Sequence, residues 1–515
     1  MSATDSEPIP ETVDTPESAA AESRRLREII SERQRKAEVL RGEGLDPYPP
    51  RTGRTHSIGE AINTFENHEA KSPDTDGPRV ALAGRIAAMR NMGRIAFIDV
   101  EDDSGGIQIL ASKKALGDSW PLLDAFDLGD FLEASGPLIR SRRGEISVQA
   151  DAVSMLGKTL RPPPEKYHGL QDVETRYRQR YLDLIANDEA KEILRARSQI
   201  VSSMRRFMDN RGFLEVETPV LQSEAGGAAA RPFLTHLNAL GEPRQLRIAL
   251  ELHLKRLIVG GFDSVYEIGR VFRNEGVGNR WNPEFTMLES YEAYTDYHGV
   301  AEMVEAALSY VATEVTGSSI VPWRDGEIDF TPPFARVKMV DAVKQHVGVD
   351  FRDYPTVDAM EGLLREHGVG IPPDAGWGKL FDELVSERVE PHLQQPTFLL
   401  DYPVAISPLA KRTEYDETLV ERFELFVGGW ELANAYTELN DPVDQRQRFE
   451  EQLKLKDAGD DEAELLDEDF IIALEHGMPP TGGLGMGMDR LAMLLTNSQS
   501  IRDVILFPQM RKLSG

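Results

Sequence analysis

The chain has 515 residues, 40% of them hydrophobic, which is too long for one core and enough to fill two or three. Cysteine is absent, which excludes disulfides, thiolate metal sites and a cysteine nucleophile; the net charge of −29 weighs against indiscriminate nucleic-acid binding but leaves room for a local basic face. No run approaches the roughly 18 apolar residues of a membrane span, and no basic segment followed by an apolar one opens the chain, so a cytoplasmic protein with no membrane partner is expected.

Residues 1–20 are rich in Glu, Asp, Pro, Ser and Thr and read as a disordered acidic tail. A helix is expected over about Glu22–Arg41, carrying Leu26, Ile29, Ile30 and Leu40, and stopped by Gly42, Gly44 and Pro47. Between Val80 and Val153 five short strands (Val80–Arg85, Ile95–Val100, Gly106–Leu110, Asp130–Gly136, Glu145–Ala150) are separated by turn signals, the pattern of a small Greek-key barrel of the OB type. Such barrels bind oligonucleotides, although strand pattern alone does not decide whether this one does. Residues 156–180 are locally basic (Lys158, Arg161, Lys166, Arg176, Arg178, Arg180), either a plain connector or an electrostatic bridge between two nucleic-acid surfaces.

The apolar stripe Ile200, Val201, Met204, Phe207 and Met208 predicts a helix over Ser198–Asn210, followed by a strand Phe213–Glu217 that runs into Pro219. This element is ordinary core or a dimer seam. Leu246–Glu251 reads as a strand whose Glu251 reaches the start of the next helix. From Val265 to Tyr291 two apolar strands flank a loop of Gly, Asn and Arg, which makes an antiparallel hairpin; Arg273 and Glu275, two residues apart, share a face if the strand extends that far. A planar, permanently charged guanidinium there suits a phosphate, or simply pairs with a carboxylate. Residues 297–396 read as a helical insertion without chemistry.

The C-terminal third is dense in carboxylates. Glu424 lies on an apolar strand, and residues 430–441 form a second strand on which Asn434, Tyr436 and Glu438 share a face; Glu431 faces away from Asn434 unless a bulge intervenes. Carboxylates this close repel one another unless they bind cations. Asp460–Asp469 reads as the acidic start of a solvated helix. Thr481–Leu495 is a Gly-rich strand entering a helix; its spacing is not that of a dinucleotide or Walker loop, and the glycines before Arg490 leave room for something flat beneath the guanidinium.

With these residues in hand the chain resembles the class II lysyl-tRNA synthetases of the bacterial type, from about Ser31 to Arg511. The helix–strand–Pro219 element resembles the class's first motif, Phe272-Arg273-Asn274-Glu275 with its hairpin the second, and Gly483–Arg490 the third; Glu438–Pro442 and Ile501–Pro508 add to the match. The implied architecture is α+β: an OB-type anticodon-binding barrel with its preceding helix (21–155), the basic linker (156–180), and a catalytic domain (181–515) built on an antiparallel sheet flanked by helices. The implied reaction is ATP-dependent activation of L-lysine to lysyl-adenylate and transfer to tRNA(Lys), with Mg²⁺ as cofactor and a homodimer as the assembly. By this likeness Arg273 and Arg490 are catalytic and, with Glu275, Asn282, Phe285 and Glu424, bind ATP. Glu424 and Glu431 hold Mg²⁺. Gly227, Glu251, Glu289, Tyr291, Asn434, Tyr436 and Glu438 surround lysine, and Phe97, Gln108 and Glu145 read the anticodon. The chain departs from the family pattern at Trp281, Leu250, His253 and Leu237, where His, Pro, Tyr and His are usual; Trp281 implies a weaker hold on the ATP γ-phosphate. The alternatives are a protein-modifying ligase related to the catalytic half, an aspartyl- or asparaginyl-type enzyme, or an RNA-binding paralogue with an altered site.

Overall fold

The computed structural model describes residues 16–72, 75–164, 170–228, 230–373, 375–457 and 466–512. Most of the acidic tail, Lys166, Ala229 and residues 460–465 of the acidic run therefore lie outside the described residues. The chain divides into two compact units, 1–169 and 170–515.

The first unit begins with helix α1 (Pro16–Gly42), which starts before the expected Glu22 and takes in the end of the predicted tail. A second helix that the sequence reading missed, α2 (Ile58–Glu69), is opened by a reciprocal cap: the Ser57 hydroxyl accepts from the Glu60 N–H while the Glu60 carboxylate accepts from the Ser57 N–H. Strands β1 (Arg79–Asn91), β2 (Ile95–Asp102), β3 (Gly105–Ser112), β4 (Phe131–Arg140) and β5 (Ile146–Ala150) pair in the order β1-β2-β3-β5-β4, and β1 pairs again with β4 to close the barrel. A further strand, β6 (Ala152–Gly157), adds to β4 and runs two residues into the expected connector. The period-two pattern explains the closure: Val80, Leu82 and Ile86, then Ala96, Ile98 and Val100, then Ile107, Ile109 and Ala111 all point inward.

Four of the basic residues after the barrel, Lys158, Arg176, Arg178 and Arg180, are paired with carboxylates of their own unit. Lys158 is fully buried, with its ammonium 2.7 Å from Asp130 and 2.8 Å from the Ala125 carbonyl oxygen, and it also pairs with Asp127. Arg176 and Arg180 both bind Asp183, and Arg178 binds Glu174. Their charge is spent inside each unit, because a buried cation without a partner is too costly to keep.

The second unit is built on an eight-stranded sheet. Its strands are β7 (Leu214–Glu215), β11 (Ser264–Phe272), β12 (Glu284–Ala293), β15 (Ala335–Lys338), β16 (Thr397–Pro403), β17 (Leu419–Val427), β18 (Trp430–Thr437) and β19 (Thr481–Gly487). Between β7 and β11 lies a small sheet of β8 (Leu221–Gln222), β9 (Leu234–Leu237) and β10 (Glu242–Leu246), and β13 (Ile320–Trp323) pairs with β14 (Gly326–Asp329). The main order is β15-β16-β17-β18-β19-β12-β11-β7, antiparallel throughout except at the two edges. Helix α3 (Asp188–Asn210) is ten residues longer at its start than predicted. The expected strand Leu246–Glu251 is replaced by a turn, and Glu251 opens helix α4 (Glu251–Val259).

Residues 297–396 are not an insertion throughout. Helix α5 (Tyr297–Thr316) buries Val300, Val304, Leu308 and Val311 on one stripe against β17, β18 and β19 and forms a layer of the main core. It is capped by the Asp296 carboxylate and ends at Gly317 in the left-handed region. Removing the buried cation of the first unit tests this account. Lys158→Met strands the carboxylate of Asp130 and should destabilise the barrel by about 3 kcal/mol, read as roughly hundredfold faster amide exchange in β1 and β4.

Candidate active site

Leu484 and Met486 of β19 point into the core, so the period of two puts Gly483, Gly485 and Gly487 on the opposite face, which carries no side chain. Two rows of polar groups cross the sheet over these glycines. One runs Glu289, Gly485, Asn434, Glu424; the other runs Tyr291, Gly483, Tyr436, Arg422. Three strands, β12, β17 and β18, thus present their polar side chains around the bare strip of β19.

Glu431 joins the same face. The pairing of β17 with β18 slips at Leu425/Phe426, so that Leu425 faces Ala433 and Phe426 faces Glu431. This bulge leaves Leu432 and Ala433 both buried and turns Glu431 to the side of Glu424 and Asn434. The expectation that Glu431 and Asn434 face opposite ways is corrected by it.

Around Glu424 the polar groups are tightly paired. Arg422 donates to Glu424 at 2.6 Å and to the Asn434 side-chain oxygen at 3.1 Å; the Tyr402 hydroxyl donates to Glu424 at 2.9 Å. The Asn434 amide nitrogen donates in turn to the Tyr436 hydroxyl at 3.3 Å. Burial raises the Glu424 carboxyl against the pull of Arg422, and Glu431 adds to the rise. Two carboxylates from the supposed insertion stand by this pair. Asp382, exposed on helix α6 (Trp377–Arg388), and half-buried Glu390 are both raised, first by partial loss of hydration and next by the charge of Glu424. Arg422, Tyr402, Asp382 and Glu390 were missed by sequence reasoning. The two-residue spacing of Arg422 and Glu424 on one strand was the available signal for the first; nothing local marked the others.

Arg273 and Glu275 do not sit on an extended strand as expected: β11 stops at Phe272, and both lie in the loop, Glu275 exposed. The Arg273 backbone N–H donates to the Pro283 oxygen at 2.9 Å, its Nε donates to the Ile248 oxygen at 3.3 Å, and its guanidinium lies 5.3 Å from the Phe285 ring centre. The charges of Glu275, Glu431, Glu289 and Arg490 all reach it. Arg490, in helix α7 (Met488–Leu495), donates to the backbone oxygen and, at 3.2 Å, to the carboxylate of Glu431. Its neighbour Asp489 is buried and fixes the helix start by accepting from Arg197 at 2.7 Å and from the Thr286 N–H at 2.7 Å. Asn282 is buried with its amide used within the chain, donating to the Glu284 oxygen at 2.6 Å and accepting from the Gln509 N–H at 3.3 Å. It anchors the loop. Trp281 is exposed in that loop.

The far end of the rows is a nest of buried carboxylates. Glu289 accepts from the Leu250 N–H at 2.8 Å and from the Tyr291 hydroxyl at 3.2 Å. A proline at 250 would have no hydrogen to give, so this departure from the family pattern supplies a bond. Burial, then the charge of Glu251, pushes the Glu289 carboxyl up to about 8. Lys255 reaches both Glu251 and Glu438 at 2.5 Å. Gly227, with φ of +84°, lies so close to α4 that a Cβ there would stand 3.0 Å from that of Glu251. In the barrel, Phe97 and Gln108 lie on the outer face of adjacent strands, Gln108 opposite Asp99 and Ser147, and Glu145 is exposed one residue before β5.

Comparison with known proteins agrees with this geometry. Residues 172–511 match the family of class II tRNA synthetases (D, K and N), and residues 80–156 match the OB-fold nucleic acid binding domain. A lysine–tRNA ligase of Dehalococcoides mccartyi is 53% identical over 94% of this chain and 97% of its own length. That of Chloroflexus aurantiacus is 52% identical over 95% and 99%, and that of Bacillus subtilis 50% identical over 95% and 98%.

The bare strip offers a direct test. A Cβ on Gly483 would fall 1.8 Å from a carboxylate oxygen of Glu438 and 2.7 Å from the Tyr291 ring. Gly483→Ala should therefore push both groups aside and lower thermal stability, whereas a Cβ on Gly485 would meet nothing closer than 3.9 Å, so Gly485→Ala should leave thermal unfolding nearly unchanged while lowering aminoacylation of tRNA by lysine on the order of 100-fold or more. With a glycine-floored sheet carrying two arginines and a ring of carboxylates, an OB barrel ahead of it, and full-length relatives of one kind, the chain belongs to the class II tRNA synthetases and, within them, to the lysine–tRNA ligase family.

Proposed function

We propose that the polar rows divide the reaction of an ATP-dependent lysine–tRNA ligase between them, with ATP over β17–β19 and L-lysine at the Glu289–Glu438 end. The observation that carries this reading is the side-chain-free strip between β12 and β18, which leaves a floor for a flat substrate with cations at one end and buried carboxylates at the other. In the first step the lysine carboxylate attacks the α-phosphorus in line and pyrophosphate leaves, so positioning and charge neutralisation matter more than a proton-transfer base. Arg273 receives the α-phosphate and the substrate carboxylate, Phe285 stacks on the adenine, Arg490 covers its other face, and Glu275 meets its edge from the loop. Glu438 and Tyr291 receive the ε-ammonium; Glu251, Glu289 and the backbone at Gly227 receive the α-ammonium; Asn434 and Tyr436 line the passage between. In the second step a hydroxyl of the tRNA's terminal adenosine attacks the carbonyl and AMP leaves.

Glu424 and Glu431, brought to one face by the bulge and crowded by Asp382 and Glu390, form a hard oxygen set that fits Mg²⁺. No group of three such side chains that could hold a metal is found among the described residues, so Glu424 and Glu431 would hold Mg²⁺ only together with oxygens of substrate or water. Bound there, Mg²⁺ would neutralise charge on the phosphate oxygens. Phe97, Gln108 and Glu145 read anticodon bases on the barrel face by stacking and edge hydrogen bonds. The enzyme works as a cytoplasmic homodimer, and no helix among the described residues is long and apolar enough to cross a membrane.

Lysine-dependent ATP–pyrophosphate exchange tests the reading. The wild-type protein should exchange with lysine and not with aspartate, and Arg273→Ala should lower kcat by about 10²–10³; exchange with aspartate alone would overturn it. Proton release gives a second test. The Glu289 carboxyl, raised to about 8, is largely protonated at pH 7, and an arriving α-ammonium lowers it again. Lysine binding at pH 7 should therefore release a proton, and lysine affinity should rise with pH until about 8. Calorimetry in two buffers of different ionisation enthalpy measures the release, and Glu289→Gln should abolish it.

A further inference from the structure

Three carboxylates, those of Glu251, Glu289 and Glu438, are buried together at the proposed lysine end, where at most 4% of each residue is exposed. Each bears on the others: Glu251 raises Glu289, and Glu251 and Glu289 both raise Glu438. Among them lies one cation of the chain itself. Lys255 is wholly buried one turn along α4 from Glu251, with its ammonium 2.5 Å from Glu251 Oε1 and 2.5 Å from Glu438 Oε2, and 5.7 Å from the centre of the Phe470 ring. Burial works against its charge, but Glu251 and Glu438 carry its pKa above the ordinary lysine range, so it stays an ammonium. Glu438 is buried with Oε2 taken by Lys255, and its other oxygen, Oε1, accepts no hydrogen bond among the described residues. Glu438 is thus held in place with one oxygen left for a ligand.

We propose that Lys255 is a specificity-determining positioning residue, which fixes Glu438 and Glu251 and cancels one of the pocket's three negative charges so that the two left over match the two ammonium groups of lysine. This rests on the lysine reading of the pocket given above. With lysine bound, once the Glu289 proton has been released, three carboxylates and one internal ammonium leave a charge of minus two. The α- and ε-ammonium groups of lysine supply plus two, and its carboxylate is taken by Arg273 outside the nest. An amino acid with a single ammonium leaves a buried carboxylate unpaired and is rejected on that account. Without Lys255 the pocket would hold three charges for two cations. One carboxylate would have to take up a proton, and Glu438 would lose the partner that aims it.

The test uses the full-length protein in lysine-dependent ATP–pyrophosphate exchange. Lys255→Met keeps a linear apolar stem without the charge. The expected result is a rise in the KM for lysine on the order of 100-fold, with the KM for ATP changed less than about threefold. A lysine KM within threefold of wild type, or a parallel rise in the ATP KM, overturns the proposal. Comparison of Glu438→Gln with the double variant Lys255→Met/Glu438→Gln separates positioning from general support of the fold, and it still decides if the single Lys255→Met variant does not fold, since the double variant strands no charge between the two positions. If Lys255 acts through its carboxylate partners, the double variant is little worse than Glu438→Gln alone; a fully multiplicative loss overturns the proposal. Failure of the wild-type protein to exchange with lysine would instead remove the underlying reading of the pocket, a result distinct from either outcome for Lys255.

Discussion

The catalytic unit depends on one constraint: β19 must pack its Leu484 and Met486 into the core while offering nothing on the other face. Strand β19 is hydrogen-bonded on both sides, so its backbone is fully used and cannot move away to make room. Space for a substrate therefore comes from deleting side chains, and the glycine alternation does that. The cost is a strand of low intrinsic propensity. It is offset by the core beneath, where α5 and α7 bury a continuous apolar layer against the same strands.

Once the floor is bare, the neighbouring strands supply the walls, and their charges have to be reconciled. At one end Arg422 neutralises Glu424 and Arg490 neutralises Glu431. At the other end Lys255 pairs with two of three buried carboxylates, Glu251 and Glu438. There the protein holds fewer cations than carboxylates, a costly arrangement in a low-dielectric setting unless a ligand completes it. Asp382 and Glu390 feel the charge of Glu424 and show that the segment between α5 and β16 takes part in the site electrostatically.

The bulge at Leu432 has a similar logic. Strict alternation along β18 would send Glu431 into the core or leave Asn434 pointing away from the strip. One extra residue resolves the conflict by burying Leu432 and Ala433 together. Leu250 shows the same economy on a smaller scale. A non-proline residue keeps an N–H at the turn before α4, and that hydrogen is placed against Glu289.

What the sequence by itself determined was the inventory and the local periods. The five barrel strands, the hairpin around Arg273, the Gly-rich strand before Arg490 and the carboxylates of residues 424–438 were all legible, because alternation and turn residues are properties of neighbours along the chain. The family resemblance followed from the order of these motifs. Tertiary structure alone decided which charges meet. Lys158 and Arg180 read as a basic linker until burial against Asp130 and Asp183 spent their charge. Arg273 and Glu275 left the strand, a bulge brought Glu431 to the face of Asn434, and α5 proved to be core. Nothing in the sequence analysis singled out Lys255, and only the fold sets Glu438, 183 positions later in the chain, against it. The physical reason is common to these cases: a charge's role is set by its distance to other charges and to water, and those distances are fixed only when remote strands pair.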